Sequence, residues 1–298
     1  MSTFVSPDMG QTIRTVGRKT FDFSQQVVIM GIINRTRDSF YDRGRTFEFD
    51  KAVEAAEQAL RQGADWLDIG AVPFSPVAKE VDEKDELARL LPLIQAIRDK
   101  TDAVISVDTF RAEVARQAID MGADAVNDTS GLHDPLMAEV VAAAGATLIV
   151  THSKAAPGEW LSRPHYTDVV FEVHNFLIER ASFAEARGVS RDKIIIDPGH
   201  DLNKNTVHSL ELTRRLGELA TLGYPLLASV SNKDFIAETL GLPVGELTEG
   251  TLATVILCIL QGARIVRVHD VASMRSGIAV VEAVLGWRPP AVTRHNLT

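Results

Sequence analysis

Residues 103–128 read AVISVDTFRAEVARQAIDMGADAVND, and this stretch decides the fold. Ala103–Val107 is a short apolar run of strand length, closed by Asp108-Thr109. Ala112–Met121 then carries 3.6-residue periodicity, the mark of a helix with one buried stripe. Gly122-Ala123 ends it, because glycine accepts the left-handed backbone that terminates helices. Ala125–Val126 opens the next strand, which runs into Asn127-Asp128. Strand, helix, glycine joint and strand in this order form the repeating unit of a parallel sheet.

The unit recurs along the chain. Strands are expected at Val27–Ile33, Asp65–Ile69, Ala103–Val107, Ala125–Val126, Thr147–Val150, Lys193–Ile196, Pro225–Val230 and Arg264–Val268. Helical periodicity fills Asp50–Gln62, Val81–Lys100, Ala112–Met121, Tyr166–Arg187 and Gly250–Gly262. Gly63-Ala64, Gly145-Ala146 and Gly262-Ala263 repeat the joint at 122–123. Eight alternations over roughly 250 residues predict an α/β fold, a single (β/α)8 TIM barrel. A doubly wound open sheet is the competitor. It normally carries a glycine-rich turn after its first strand, whereas Met30–Asn34 holds the single glycine Gly31. No Pro/Gly/Ser-rich linker divides the chain, so residues 1–298 are expected to be one domain. The expectation includes a longer connection at Ser153–His165 and loosely held termini at about 1–20 and 288–298.

Composition narrows the function. The chain has 298 residues, 45% hydrophobic and 24% charged, which are ordinary globular values. Lys+Arg 31 against Asp+Glu 40 gives a net charge of −9, which argues against a nucleic-acid partner. The one cysteine, Cys258, lies in the apolar run Leu252–Leu260 and reads as a small buried hydrophobe. Met1–Lys19 has no apolar core of signal-peptide length, and no stretch reaches about 18 uninterrupted apolar residues. A soluble, cytoplasmic protein with no membrane partner is expected.

In such a barrel the chemistry sits at the C-terminal ends of the strands and in the loops beyond. That rule selects Asn34, Asp68, Asp108, Asn127, Asp128, Thr151, His152, Asp197, Ser231, Asn232, Lys233, Arg267, His269 and Asp270. Carboxylates and amides suit the donor and acceptor edge of a flat heterocycle, while an Arg/His end suits an anion such as phosphate. Each residue has a plainer role available. Asp108 and Asp197 can cap helices, and His152 and His269 can be satisfied packing residues. Polar residues at the end of every strand exceed what capping requires.

These residues carry a resemblance. Met30-Gly31-Ile32-Ile33-Asn34-Arg35-Thr36-Arg37-Asp38-Ser39-Phe40 resembles the opening M-G-I-x-N-x-T-P-D-S-F of dihydropteroate synthases. Ser106–Thr109, Asn127–Gly131, Asp197–Gly199, Ser231–Phe235 and Arg267–Asp270 look like that family's S-x-D-T, N-D-x-x-G, D-P-G, S-R-K-x-F and R-V-H-D. The match runs from about residue 26 to 285 in order and spacing. The family joins p-aminobenzoate to a dihydropterin with loss of Mg-bound pyrophosphate. The resemblance implies that Asp108, Asn127, Asp197 and Lys233 hold a pterin-like ligand. Asn34, Arg267 and His269 would hold pyrophosphate, with Asn34 beside the Mg2+. Lys233 and Asn34 would be the catalytic pair if the protein is active. A homodimer through the late helices is the family's habit, and Gly250–Leu260 is apolar almost all round.

The second-substrate side departs from the pattern. The loop expected to read G-G-E-S-T-R-P-G is Gly70-Ala71-Val72-Pro73-Phe74-Ser75-Pro76-Val77, so Phe74 and Ser75 stand for its Thr and Arg. Losing that guanidinium removes a charge-assisted contact worth roughly 1.5–3 kcal/mol. After Asp197-Pro198-Gly199, Leu202 replaces an aromatic and Asp201 adds charge. Beside Ser231, Asn232 replaces the arginine of S-R-K. Arg35, Arg37, Arg43 and Arg45 are extra cations, read equally well as a substitute phosphate clamp or as solvated surface. The expectation is therefore a dihydropteroate synthase homologue, an inactive paralogue that keeps a pterin pocket with the standard condensation lost or very weak. An active synthase of folate biosynthesis with a rebuilt p-aminobenzoate site is the alternative. A methyl-tetrahydrofolate methyltransferase comes next, disfavoured by Ser231–Lys233 and Arg267–His269. Sulfonamide or sulfone aryl ligands would report whether an aryl site survives.

Overall fold

A computed structural model describes residues 4–34, 49–72, 81–159 and 161–296. Phe74, Ser75 and the arginines Arg35, Arg37, Arg43 and Arg45 lie outside the described residues. An antiparallel hairpin, β1 (Ile13–Val16) and β2 (Lys19–Asp22), precedes the parallel strands. These are β3 (Val28–Asn34), β4 (Trp66–Gly70), β5 (Val104–Asp108), β6 (Ala125–Asp128), β7 (Thr147–Thr151), β8 (Ile194–Asp197), β9 (Leu226–Ala228) and β10 (Ala263–Val268). They close in chain order, with β10 paired to both β3 and β9. Around them run α1 (Phe49–Arg61), α2 (Glu83–Arg98), α3 (Ala112–Asp120), α4 (Met137–Ala144), α5 (Val169–Ala186), α6 (Thr206–Arg214), α7 (Asp234–Leu240), α8 (Thr248–Leu260) and α9 (Val271–Val284). The expected (β/α)8 barrel is the fold observed.

The two periods of the sequence explain the layers. Successive strand residues alternate between the barrel interior and the helices outside. Ile29, Leu67, Ile105, Val107, Val126, Leu148, Val150, Ile194 and Ile196 pack outward against helix residues such as Ala56, Leu93, Ala115 and Val173. Val28, Met30, Trp66, Val104, Ala125, Ile149, Ile195, Leu227 and Ile265 form a separate interior cluster. Counting on by two along each strand, the same inner face next meets Ile32, Asp68, Ser106, Asn127, Thr151, Asp197 and Arg267, and two residues further Asn34 and Asp108. The interior is thus apolar in its lower half and polar in its upper half.

Six of the strands run past the apolar run that signals them, to end at Asn34, Gly70, Asp108, Asp128, Thr151 and Asp197. Ladder hydrogen bonds use the backbone and are indifferent to side-chain polarity, so a polar residue facing inward stays in the strand. Asp68 consequently lies inside β4 rather than at its end. The helices α2 and α5 start later than periodicity predicts, because Asp82 and Asp168 cap them by accepting backbone N–H bonds.

The N-terminal segment is a correction. Residues up to about 20 were expected to be loosely held, yet β1 and β2 close the bottom of the barrel. Val16, Phe21 and Phe23 are buried with the interior cluster, and the Phe21 ring meets Trp66 edge-on at 5.6 Å. Arg14 is buried beside them, and its Nη1 donates to the carbonyls of Arg191 at 3.0 Å and Ile194 at 3.2 Å. An open barrel end exposes Trp66 and its neighbours to water, and the hairpin supplies the missing cover. At the other end of the chain, residues 288–296 are exposed and form no helix or strand.

Candidate functional site

The polar upper layer is set by register. Asn34, Gly70, Asp108 and Asn127 are successive partners across β3 to β6. Gly70 leaves a gap in that row: a Cβ there would lie 3.4 Å from Asn34 Oδ1 and 3.9 Å from Asp108 Oδ2. Thr151 and Asp197 are partners across β7 and β8, on the far side of the mouth.

Arg267 ties the row together. Its Nε donates to Asp68 Oδ2 at 2.5 Å and its Nη2 to Asp108 Oδ2 at 3.0 Å. Asp68, fully buried, accepts at the same Oδ2 from Asn127 Nδ2 at 3.1 Å. Burial works to lower the Arg267 pKa, but the two carboxylates outweigh it and the net shift is upward. Burial drives Asp108 well above the ordinary carboxylate range, with Arg267 opposing and Asp68 and Glu86 adding to the rise. Asp68 Oδ1, Asn127 Oδ1, Ser106 Oγ and Thr151 Oγ1 are buried and have no hydrogen-bond partner among the described residues. Leaving such a group unsatisfied costs about 1–3 kcal/mol each, so this layer holds hydrogen-bonding capacity that the described residues leave unused.

Asp197 forms the opposite side. Its Oδ1 accepts from the Gly199 N–H at 2.7 Å, and burial pushes it up to about 6 against the pull of Lys233, Arg267 and Lys204. Gly199 has φ +65, and a Cβ there would meet the His152 carbonyl at 2.2 Å, so the D-P-G turn accepts only glycine. Lys233 follows β9 as the cap residue of α7; burial lowers its pKa, with Asp201 and Asp197 pulling it back up.

The expected anion end looks different in space. Arg267 is there, but two carboxylates already hold it. His269 Nδ1 lies 3.0 Å from Ser231 Oγ, which also accepts from the His269 backbone N–H at 3.2 Å. Burial, with Arg267 and Lys233 nearby, lowers His269 to about 3, so the ring is neutral. Of the altered side, Leu202 is buried, and Asn232 adopts φ +54 with its N–H donating to Thr251 Oγ1 at 3.3 Å.

Sequence reasoning left two groups unassigned. Asp68 was selected only as a strand end, although it anchors both Asn127 and Arg267; its inward parity with Trp66 was the available signal. Lys204 was quoted only as the end of a motif. It is buried, and its Nζ contacts His152 Nδ1 at 2.9 Å while donating to the carbonyls of Gly199 at 2.8 Å and Leu202 at 3.1 Å. Burial lowers Lys204 to about 7 and His152 well below its usual value. The pair clamps the turn that presents Asp197. Cys258 is buried and pushed up to about 12 by burial, as an inert thiol would be.

The pterin binding enzyme family matches residues 30–269. The chain belongs to that family. Among family members, it is 46% identical over 276 residues to the inactive dihydropteroate synthase 2 of Mycobacterium leprae, covering 91% of this chain and 94% of that one. It is 40% identical over 275 residues to the dihydropteroate synthase of Synechocystis, covering 92% and 94%. The dihydropteroate synthase of Yersinia pestis, solved in complex with a sulfonamide drug, superposes with a TM-score of 0.88 at 32% identity, covering 92% and 99%. The chain is a dihydropteroate synthase homologue, and its similarity to a relative named inactive exceeds that to the Synechocystis enzyme.

Proposed function

We propose that this protein binds a pterin-like heterocycle through Asp108, Asn127, Asp197 and Lys233, and carries the standard condensation weakly or not at all. The observation that supports this most is the engagement of Arg267 by Asp68 and Asp108, with His269 neutral beside it. The heterocycle side keeps its acceptors, while the anion side has no free guanidinium among the described residues. The relative in Mycobacterium leprae, named inactive, supports the same reading.

Mg2+ belongs to this proposal as a companion of the phosphate. Among the described residues no cluster of three or more His, Cys, Asp or Glu side chains is placed to hold a metal. A single amide oxygen, Asn34 Oδ1, suits a magnesium ion that takes its other ligands from pyrophosphate and water. Lys233 would orient the heterocycle and Asn34 the phosphate if turnover occurs. The Yersinia pestis complex supports a sulfonamide or sulfone as a probe of the aryl side. Leu257 on α8 and Val280 and Val284 on α9 are 54%, 63% and 80% exposed, an apolar face suited to a homodimer. Among the described residues no helix is long and apolar enough to cross a membrane, and a cytoplasmic protein remains the proposal.

Calorimetric titration with dihydropterin pyrophosphate, followed by a condensation assay with p-aminobenzoate, tests the reading. Saturable pterin binding is expected, with turnover at least about a hundredfold below that of an ordinary synthase assayed alongside. Comparable turnover would instead establish an active synthase with a rebuilt p-aminobenzoate site.

A further inference from the structure

The long connection after β7 and the loop after β8 are knotted together around the backbone of Asp197. The His152 N–H donates to the Asp197 carbonyl at 2.9 Å, and the His152 carbonyl fills the space where Gly199 would carry a Cβ. Asn203 Oδ1 accepts from Ser153 Oγ at 3.0 Å, the Lys154 N–H at 2.9 Å and the Ala155 N–H at 3.0 Å. Tyr166 Oη donates to the Asn203 carbonyl at 3.0 Å. Asn203 has φ +49, and a residue other than glycine stays in that region only when its surroundings hold it. Here the other loop holds it.

Lys204 closes the knot from inside. It is buried, and its Nζ meets three acceptors: the Gly199 carbonyl at 2.8 Å, His152 Nδ1 at 2.9 Å and the Leu202 carbonyl at 3.1 Å. An ammonium has three N–H donors and fills all three contacts, with the His152 proton on Nε2. A neutral amine has two donors. His152 must then move its proton to Nδ1, and the contacts lose their charge assistance, roughly half of their strength. Gly199 passes the effect on, because its carbonyl receives Lys204 while its N–H donates to Asp197 Oδ1 at 2.7 Å. Charge acts in the same direction. Burial lowers Lys204 to about 7, and Asp197 is the foremost charge holding it up, with Asp201 helping and Lys233 and Lys154 opposing. Lys154 is itself paired with Glu172 at 3.0 Å. Burial, then the Lys204 charge, lowers His152, His200 and His208, so these imidazoles stay neutral while Lys204 titrates.

We propose that Lys204 is a positioning residue of the heterocycle site: its ammonium ties the two loops into one unit, holds the turn that presents Asp197, and so makes ligand binding at Asp197 depend on the Lys204 proton. The assignment rests on the pterin reading above and adds to it a residue that acts through another. Ionised Asp197 and protonated Lys204 favour each other, so pterin affinity is greatest between about 6 and about 7. It falls below that window as Asp197 takes a proton and above it as Lys204 loses one.

The test titrates the full chain with hydroxymethylpterin by calorimetry at pH 6.5 and 8.5, and at pH 7.5 in two buffers of different ionisation enthalpy. Lys204→Met, which has no proton to lose, is expected to bind about tenfold more weakly than the wild type at pH 6.5. Between pH 6.5 and 8.5 the wild type is expected to lose about sixfold more affinity than that variant, a comparison from which ionisation of the pterin itself cancels. At pH 7.5 the wild type is expected to take up about half a proton more per bound pterin than Lys204→Met. A merely structural lysine would weaken binding on removal without moving either proton readout. Lys204→Gln keeps two N–H donors and no titrating charge; it should match the proton uptake of Lys204→Met and bind more tightly, and it supplies the comparison if the methionine variant fails to fold. No proton uptake by the wild type at pH 7.5 overturns the assignment whatever the variants do, and so does equal uptake in wild type and variant. Absence of pterin binding by the wild type refutes the heterocycle reading and this inference together. Intact pterin binding without the extra proton refutes the inference alone.

Discussion

The proposed heterocycle side and the proposed second-ligand side of the mouth draw on different parts of the fold. Asp68, Asp108, Asn127 and Asp197 sit within hydrogen-bonded strands, on the same inward face as the apolar plug beneath them. Leu202 and Asn232 belong to connections between elements. A strand residue cannot turn away without slipping the register of its neighbours, and Asp68 serves Asn127 and Arg267 at once. A loop residue carries no such obligation. Leu202 and Asn232, which depart from the synthase pattern, are loop residues of this kind.

That contrast can be broken by mutation. Asp68→Ala removes the shared anchor of a buried ion pair and should cost about 3 kcal/mol of stability, read by urea denaturation. Asn232→Gly, on the loop side at φ +54, should leave stability within about 1 kcal/mol. Equal losses would mean that the two sides are equally constrained. A smaller effect is expected from Asn127→Ala, which should weaken pterin binding by about thirtyfold in calorimetry, against less than about threefold for Leu202→Ala.

Proton linkage sharpens the same comparison. Burial raises Asp197 and Asp128 from 3.8 to about 6, so the folded protein holds more protons than the unfolded chain between those values. Their contribution to stability is full below the unfolded pKa and is lost as pH rises through about 6. Pterin binding should run the other way and strengthen across that window, since ionised Asp197 is the better acceptor. Urea midpoints and pterin titrations at matched pH values check both slopes, and parallel slopes would remove Asp197 from the site. The smallest effect is expected on the loop side: Leu202→Phe should tighten an arylamine by about threefold through added ring contact, measured by the same titration.

The sequence was informative where one period governed. Alternation of strand and helix announced the barrel, and strand-end placement announced Asn34, Asp108, Asn127, Asp197 and Arg267. It was silent where partners had to be chosen. Nothing in residue spacing shows that Arg267 prefers Asp68 and Asp108 to the open mouth, because that choice depends on strand order and register. The Lys204–His152 contact joins two loops 52 residues apart. The β1–β2 hairpin escaped notice because its buried face is sparse, Arg14, Val16 and Phe21 among exposed neighbours, and its partner surface exists only once the barrel has closed.

The central claim is that the heterocycle side remains a working binding site. Calorimetric titration of the wild-type protein with hydroxymethylpterin, which carries no phosphate and needs no second ligand, addresses it most directly. The account predicts saturable binding at one site per chain, about thirtyfold weaker in Asn127→Ala. No binding by the wild type at the solubility limit of the pterin, or equal affinity in Asn127→Ala, would contradict it.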